Sequence, residues 1–262
     1  MVVERAAGAG LEAISLTDHD TVAGVPAAVA AGERLGVRVV SGCEFSTAAP
    51  WGEMHVLGYF LPTGSTLLEV FLERCRADRV RRARAMVDRL QAMGVDLDFD
   101  DVLREAGGGA VGRPHVARAI VRGGAALGLS EAFDRYLGRG RPAFIEKVLP
   151  SFAEVAELVH SVRGLVSAAH LKDRGTRAFL ERLKHEGLDA IETRHPSHDP
   201  EARARLTDIA IRLGLLRTGG SDWHGDPEPG EVQGALGSQE VPLEWLERLD
   251  RLRADLPAAA AP

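Results

Sequence analysis

The chain has 262 residues, 45% of them hydrophobic and 27% charged, with a formal net charge of −6. That balance provides ample globular core and excludes a basic footprint for gripping DNA non-specifically. No apolar run approaches the length of a membrane span or reads as a signal peptide, and two cysteines, Cys43 and Cys75, without paired spacing argue against a disulfide scaffold and for a reducing cytoplasm.

The first apolar run, "EAISL" (12–16), ends in Asp18-His19-Asp20. In the plain reading Asp20 caps a helix running from Val25 to Leu35; in the sharper one His19 is a metal ligand presented at a strand end. Further runs follow at "VRVVSG" (37–42), "HVLGYF" (55–60), "GLVSAA" (164–169), "LDAIE" (188–192) and "LGLLRTGG" (213–220). Helical patterns over 24–35, 151–163, 174–186 and 199–213 lie between them, so the alternation predicts βαβ units and a parallel sheet. Residues 65–140 break the rhythm. They read as consecutive helices over about 65–93, 98–106, 113–122 and 130–137, joined by glycine-rich turns: an all-helical insertion. "DLDFDD" (96–101) reads as a helix start and not a calcium loop, the arginine run at 74–85 as a solvated face, and His160 and His185 carry no role. The Pro/Ala tail at 256–262 is expected to fray.

Titratable groups gather where the apolar runs stop. After the first run stands His19, after the second Glu44, and His55 opens the third; His170, His195, and the Asp222/His224 pair follow the last three. In a (β/α) barrel the carboxyl ends of the strands meet on one face. Singly, His19 and Glu44 would pass as surface loop residues and His55 as a core histidine. Together, so many groups that resist burial call for divalent metal, and a histidine–carboxylate set without thiolate suits manganese, iron or zinc. "GGSDWHG" (219–225) is the most specific piece, because an extended Asp-x-His would turn both side chains one way.

The motifs "SLTDHDT", "GCEFS", "HVLGYF", "GRPHVA", "SAAH" and "GGSDWHG", in this order, resemble the PHP (polymerase and histidinol phosphatase) domain family. The likeness is strongest to its small phosphoesterases: the nucleoside 3′,5′-bisphosphate phosphatases and the short-RNA 5′-exonucleases. The resemblance implies a distorted (β/α)7 TIM-like barrel over 1–64 and 141–262, with the 65–140 insertion as a lid or substrate domain. It implies up to three metal ions, with His19, Glu44, His55, His170, Asp222 and His224 at ligand positions and His19, Asp222 and His224 as catalytic candidates. The family opens with a strand bearing His-x-His. No such motif occurs here, so the barrel is expected to lack its first strand in this chain, and an in-frame upstream extension is expected to encode it.

The implied reaction is hydrolysis of a phosphate ester by metal-bound hydroxide, on a small nucleotide or short RNA. No Gly-x-Ser-x-Gly elbow or glycine-rich phosphate loop offers another route. "GRPHVARA" (112–119) places Arg113 and His115 at a helix start, which serves equally as a phosphate anchor or as an ordinary capped helix. His195 is the better substrate candidate of the "RHPSHDP" stretch; His198 and Asp199 read as introducing the helix at Pro200. Two other functions stay open: a phosphatase of a different small ester, and a non-catalytic barrel that retains one metal.

Overall fold

The structure is a computed structural model that describes residues 2–225 and 234–256; the tail expected to fray lies, beyond Leu256, outside them. In chain order the elements are α1 (Val2–Gly8), β1 (Ala13–Leu16), α2 (Val25–Leu35), β2 (Arg38–Ala49), β3 (Gly52–Tyr59), α3 (Thr66–Ala92), α4 (Phe99–Ala106), α5 (Arg113–Arg122) and α6 (Leu129–Ala132), which continues as a π-turn over Phe133–Leu137. Then follow α7 (Phe152–Ser161), β4 (Leu165–Ala168), a 3-10 turn (Lys172–Arg174), α8 (Arg177–His185), β5 (Ala190–Arg194), α9 (Pro200–Leu213), β6 (Leu216–Gly219) and α10 (Leu243–Ala254). They fall into two compact units, one running to Leu68 and resuming at Leu149, the other Glu69–Val148.

The six strands form one sheet in sequence order. It curls back on itself: His19 follows the edge strand β1 and His224 follows the opposite edge strand β6, yet their rings lie 6.5 Å apart. The sheet is not wholly parallel as the alternation predicts. β3 runs antiparallel to both β2 and β4. Only Pro50 and Trp51 separate β2 from β3, and a parallel return would need a crossover of a dozen or more residues. The reversal matters for the site, because it brings the amino-terminal half of β3, with His55, to the carboxyl ends of its neighbours. Gly42 leaves no room for a side chain between β1 and β3: a Cβ there would fall 2.9 Å from the Gly58 carbonyl oxygen and 2.9 Å from Ser15 Oγ.

The floor of the sheet is closed by α10, a helix that the strand–helix alternation does not predict. Leu249 packs into a cluster with Val40, Tyr59, Leu165 and Ala190, flanked by Leu216, Leu246 and Leu252. Each strand from β2 to β6 thereby contributes at least one side chain to the cluster around the helix. At the amino end of β5, Asp189 accepts hydrogen bonds from the Val166 N–H (2.7 Å) and from His160 Nε2 (2.8 Å). His160 is therefore an anchor between α7 and the sheet, and the Asp189 carboxylate holds its pKa above the ordinary histidine value.

Helix starts follow local chemistry. Asp199 caps α9 by accepting from the Ala202 N–H at 2.7 Å, and Asp98 and Asp101 form a capping box on α4. Asp20 does not cap α2, whose N-cap is Gly24 without a side-chain bond. Asp20 is instead buried, its backbone in the left-handed region at φ 51°.

In the unit Glu69–Val148, Leu90, Val102, Val116, Ile120 and Leu137 form a separate apolar core. The arginine run is mostly a solvated face: Arg76 pairs with Glu73 and Arg81 with Asp78. Arg82 departs from that expectation. It is buried and donates to the Ile145 carbonyl at 3.0 Å, because its position on α3 faces the segment that closes the unit.

Candidate metal centre

Glu44 and His55 stand within β2 and β3, and His19, His170, His195, Asp222 and His224 follow the ends of β1, β4, β5 and β6. His19 forms an isolated parallel bridge with Glu44, the Asp20 N–H donating to the Glu44 carbonyl (3.0 Å) and the Glu44 N–H to the Asp18 carbonyl (3.1 Å). β1 is thus prolonged past Leu16 to hold the imidazole against β2. In the β2–β3 register Ser46 faces His55, which puts Glu44 and His55 on one face as diagonal neighbours. After β4, β6 and the β1 extension, the chain takes left-handed backbone at His170 (φ 29°), Asp222 (φ 50°) and Asp20. Non-glycine residues held there are costly and gather at functional sites.

Glu44, one of the most buried carboxylates, is the hub. Its Oε1 lies 2.7 Å from His55 Nδ1 and 3.8 Å from His170 Nε2, while Oε2 lies 3.8 Å from His19 Nδ1. His55 Nδ1 is also 3.1 Å from His170 Nε2. One ring nitrogen carries at most one proton, so it cannot bridge both neighbours by hydrogen bonds; three donor atoms so close suit a shared cation. Burial pushes the Glu44 carboxyl up, but His55 and the charges of His19 and His170 outweigh it and hold the group below its ordinary value. Burial likewise pulls His55 down, yet Glu44 and Glu53 raise it to about 9.

His170, Glu192 and His195 form a second group able to hold a metal, as His19, Glu44 and His55 form the first. Glu192 Oε2 accepts from the His170 backbone N–H at 2.7 Å and stands 3.4 Å from His170 Nδ1. His195 Nδ1 lies 2.8 Å from Ser197 Oγ, and with its proton donated to that hydroxyl Nε2 keeps the lone pair a metal needs. His195 Nε2 is buried with no hydrogen-bond partner, Asp222 Oδ2 lying 3.5 Å away. A buried imidazole nitrogen left open beside carboxylates is what a metal site requires. The residues present therefore fit divalent metal ions.

Asp222 and His224 reach the site through a turn, not the extended segment that period-two spacing implies. β6 ends at Gly219, and His224 Nδ1 lies 2.8 Å from the Asp222 carbonyl oxygen. Burial would raise Asp222, but His195, His224 and His170 hold it at about 2. His198 lies beside the cluster, its ring 5.6 Å from that of His195. It accepts from the Lys172 N–H at 3.3 Å, and burial first of all keeps it below the ordinary histidine value.

Glu192 is the group that sequence reading passed over. The signal was present: an acid within the apolar run "LDAIE", and the strand buries it at 5% exposure. Arg113 and His115 lie in the other unit. There Arg113 starts α5 with its guanidinium 5.6 Å from the Phe144 ring centroid, and His115 Nδ1 accepts from the Gly112 N–H at 3.0 Å. Burial, with Arg118 and Arg79 nearby, keeps His115 below its ordinary value.

The family model of the PHP domain matches residues 1–198. The 3′,5′-nucleoside bisphosphate phosphatase of Chromobacterium violaceum is 31% identical over 89% of this chain and 84% of its own length. The 5′-3′ exoribonuclease Rnm of Escherichia coli is 29% identical, over 85% of this chain and 78% of its own. Among solved structures, one from Bifidobacterium adolescentis assigned as a metal-dependent phosphoesterase superposes with a TM-score of 0.86 at 32% identity, covering 96% of this chain and 89% of that one. With this fold, this gathering of imidazoles and carboxylates, and these matches along its length, the chain belongs to the PHP domain family.

Proposed function

We propose that the chain is a divalent-metal-dependent phosphoesterase that hydrolyses a nucleotide phosphate, either a nucleoside 3′,5′-bisphosphate or the 5′ end of a short RNA. The observation that carries this reading is the convergence of Glu44 Oε1, His55 Nδ1 and His170 Nε2, with the open His195 Nε2 in the neighbouring group. In this reading the six strands belong to a distorted (β/α)7 barrel. His19, Glu44, His55, His170, Glu192, His195, Asp222 and His224 supply the ligands. Manganese, iron or zinc matches a nitrogen and oxygen donor set, manganese being the first choice. Such ions, when bound, bring the pKa of water toward neutrality and offset charge on phosphoryl oxygens.

The chain's own groups then set the polarity of the reaction. Glu44 and Asp222, both held ionised, counter the metal charge, and His19, Asp222 and His224 are the candidates to handle the proton of the attacking water. Arg113 and His115 at the start of α5 are the anchor for a second phosphate, and the helical insertion 65–140 is the substrate domain. Among the described residues no helix is long and apolar enough to cross a membrane, and Cys43 and Cys75 are both free thiols, which suits the cytoplasm.

A different small ester is the second reading. It is favoured by a relative from Eggerthella lenta, named phosphoribosyl 1,2-cyclic phosphate 1,2-diphosphodiesterase, at 30% identity over 86% of this chain. The test is phosphate release from adenosine 3′,5′-bisphosphate. Release that needs added manganese, stops on chelation and returns on re-addition is expected. Release that continues unchanged after exhaustive chelation would overturn the metal-dependent reading.

A further inference from the structure

On the rim beside the first metal group, two aromatic rings and several arginines form a surface that the proposed chemistry does not use. Trp51 stands at the β2–β3 turn and donates its indole N–H to the Glu53 carbonyl at 2.8 Å; Glu53 in turn lies 3.4 Å from His55 Nε2. The turn is therefore at the mouth, with three residue pairs between it and the pair that holds His55. Phe179 lies in the first turn of α8, which returns from the carboxyl end of β4 and so begins at the same rim. The two rings meet at 4.8 Å and 54°, and both are only half-buried.

Cations frame this pair. The Arg174 guanidinium lies 5.5 Å from the Trp51 ring centroid, and Arg182 lies 5.1 Å from that of Phe179. Arg182 also reaches Glu186 at 3.6 Å. Arg174, Arg177 and Lys172 are exposed, and among the described residues their side chains take part in no ion pair or hydrogen bond. The stretch from Lys172 to Arg177 holds three cations and one acid, Asp173, in a chain whose net charge is −6. It begins two residues after His170. A local cationic strip beside the site, against an acidic whole, has to be explained by something other than overall charge.

Half-buried rings, next to the exposed Arg174 and Arg177, whose guanidinium groups make no described ion pair, match one ligand chemistry well. A nucleobase stacks on an aromatic face whatever its identity, and the adjoining phosphate takes the cation. A free mononucleotide held at the metal centre has no second base to place there. We propose that Trp51, Phe179, Arg174 and Arg177 form a binding surface for single-stranded RNA. On it stacks the nucleotide next to the one whose phosphate is at the metals. Arg174, exposed and resting only on the ring, gives way to the base and moves to the phosphate. The inference rests on the phosphoesterase reading and deepens it, since it selects short RNA over the mononucleotide as a substrate class.

The test is binding, read without turnover. Fluorescence anisotropy of a short 5′-phosphorylated oligoadenylate with a 3′ fluorophore is measured against the full chain in chelator at low salt. The expected result is saturable binding by the parent protein, weakened about 10- to 100-fold in Trp51→Ala and about tenfold in Arg174→Ala. Trp51→Phe, which keeps a stacking face, should retain most of the affinity. Oligonucleotide binding that is absent from the parent protein, or unchanged in both alanine variants, would overturn the proposal and leave the aromatics as rim packing. If circular dichroism shows that Trp51→Ala is unfolded, Arg174→Ala decides, since its side chain is exposed and supports no described bond. Phosphate release from adenosine 3′,5′-bisphosphate by the same parent preparation reports on the phosphoesterase reading separately.

Discussion

Glu44→Gln is expected to empty the metal centre and reduce phosphoester hydrolysis on the order of 100-fold or more. Glutamine keeps the size of the side chain, so the packing of β2 against β3 survives. What disappears is the single negative charge lying 2.7 Å from His55 and 3.8 Å from both His19 and His170. Without it a cation among the three partly exposed imidazoles meets neutral nitrogens, and the remaining carboxylates, Glu53 and Glu192, each lie 3.4 Å from one ring only. The charge that offsets its desolvation is gone. Metal analysis after reconstitution should fall from bound to background, with far-ultraviolet circular dichroism unchanged. A Glu44→Gln protein that keeps its metal at the parent stoichiometry would remove Glu44 from the ligand set.

The second large effect concerns substrate choice. Arg113→Ala should lower kcat/KM for a nucleoside 3′,5′-bisphosphate by roughly ten- to more than a hundredfold, while p-nitrophenyl phosphate loses little. A charge-assisted contact to a phosphate remote from the scissile bond is worth about 1.5–3 kcal/mol, and a substrate lacking that phosphate cannot lose it. Phe144, 5.6 Å from the guanidinium, places the group without neutralising it. His115, already committed through Nδ1 to the Gly112 N–H, closes the helix start beside it. Equal losses on the two substrates would assign Arg113 to folding of the helical unit and withdraw the bisphosphate anchor.

Much of this arrangement could be read from residue order alone. The six apolar runs correspond to β1–β6, and the residues that flank them, after the run in most cases and before it for His55, are those that gather, because burying a strand and presenting a polar group at its end leave opposite signatures in adjacent positions. What escaped has physical reasons. The reversal of β3 depends on a two-residue turn, Pro50-Trp51, and period-two alternation is the same in both directions. Glu192 lay inside an apolar run, where a carboxylate looks like an interruption until its partners, His170 and His195, are known from other strands. Asp222 and His224 lie 3.6 Å apart, but through left-handed backbone at Asp222 that no alternation rule describes. Helix α10 carries leucines at 243, 246, 249 and 252, a helical spacing that was legible; its role as the floor of the sheet required the tertiary fold.

The proposed function requires that the strand-end histidines and carboxylates hold divalent metal. Anomalous diffraction at the manganese edge, from crystals of the chain equilibrated with manganese, tests it most directly. The account predicts a peak within coordination distance of Glu44, His55 and His170, and a weaker or second one beside Glu192 and His195. Full-occupancy peaks found only elsewhere on the molecule, with none in this cluster, would contradict it.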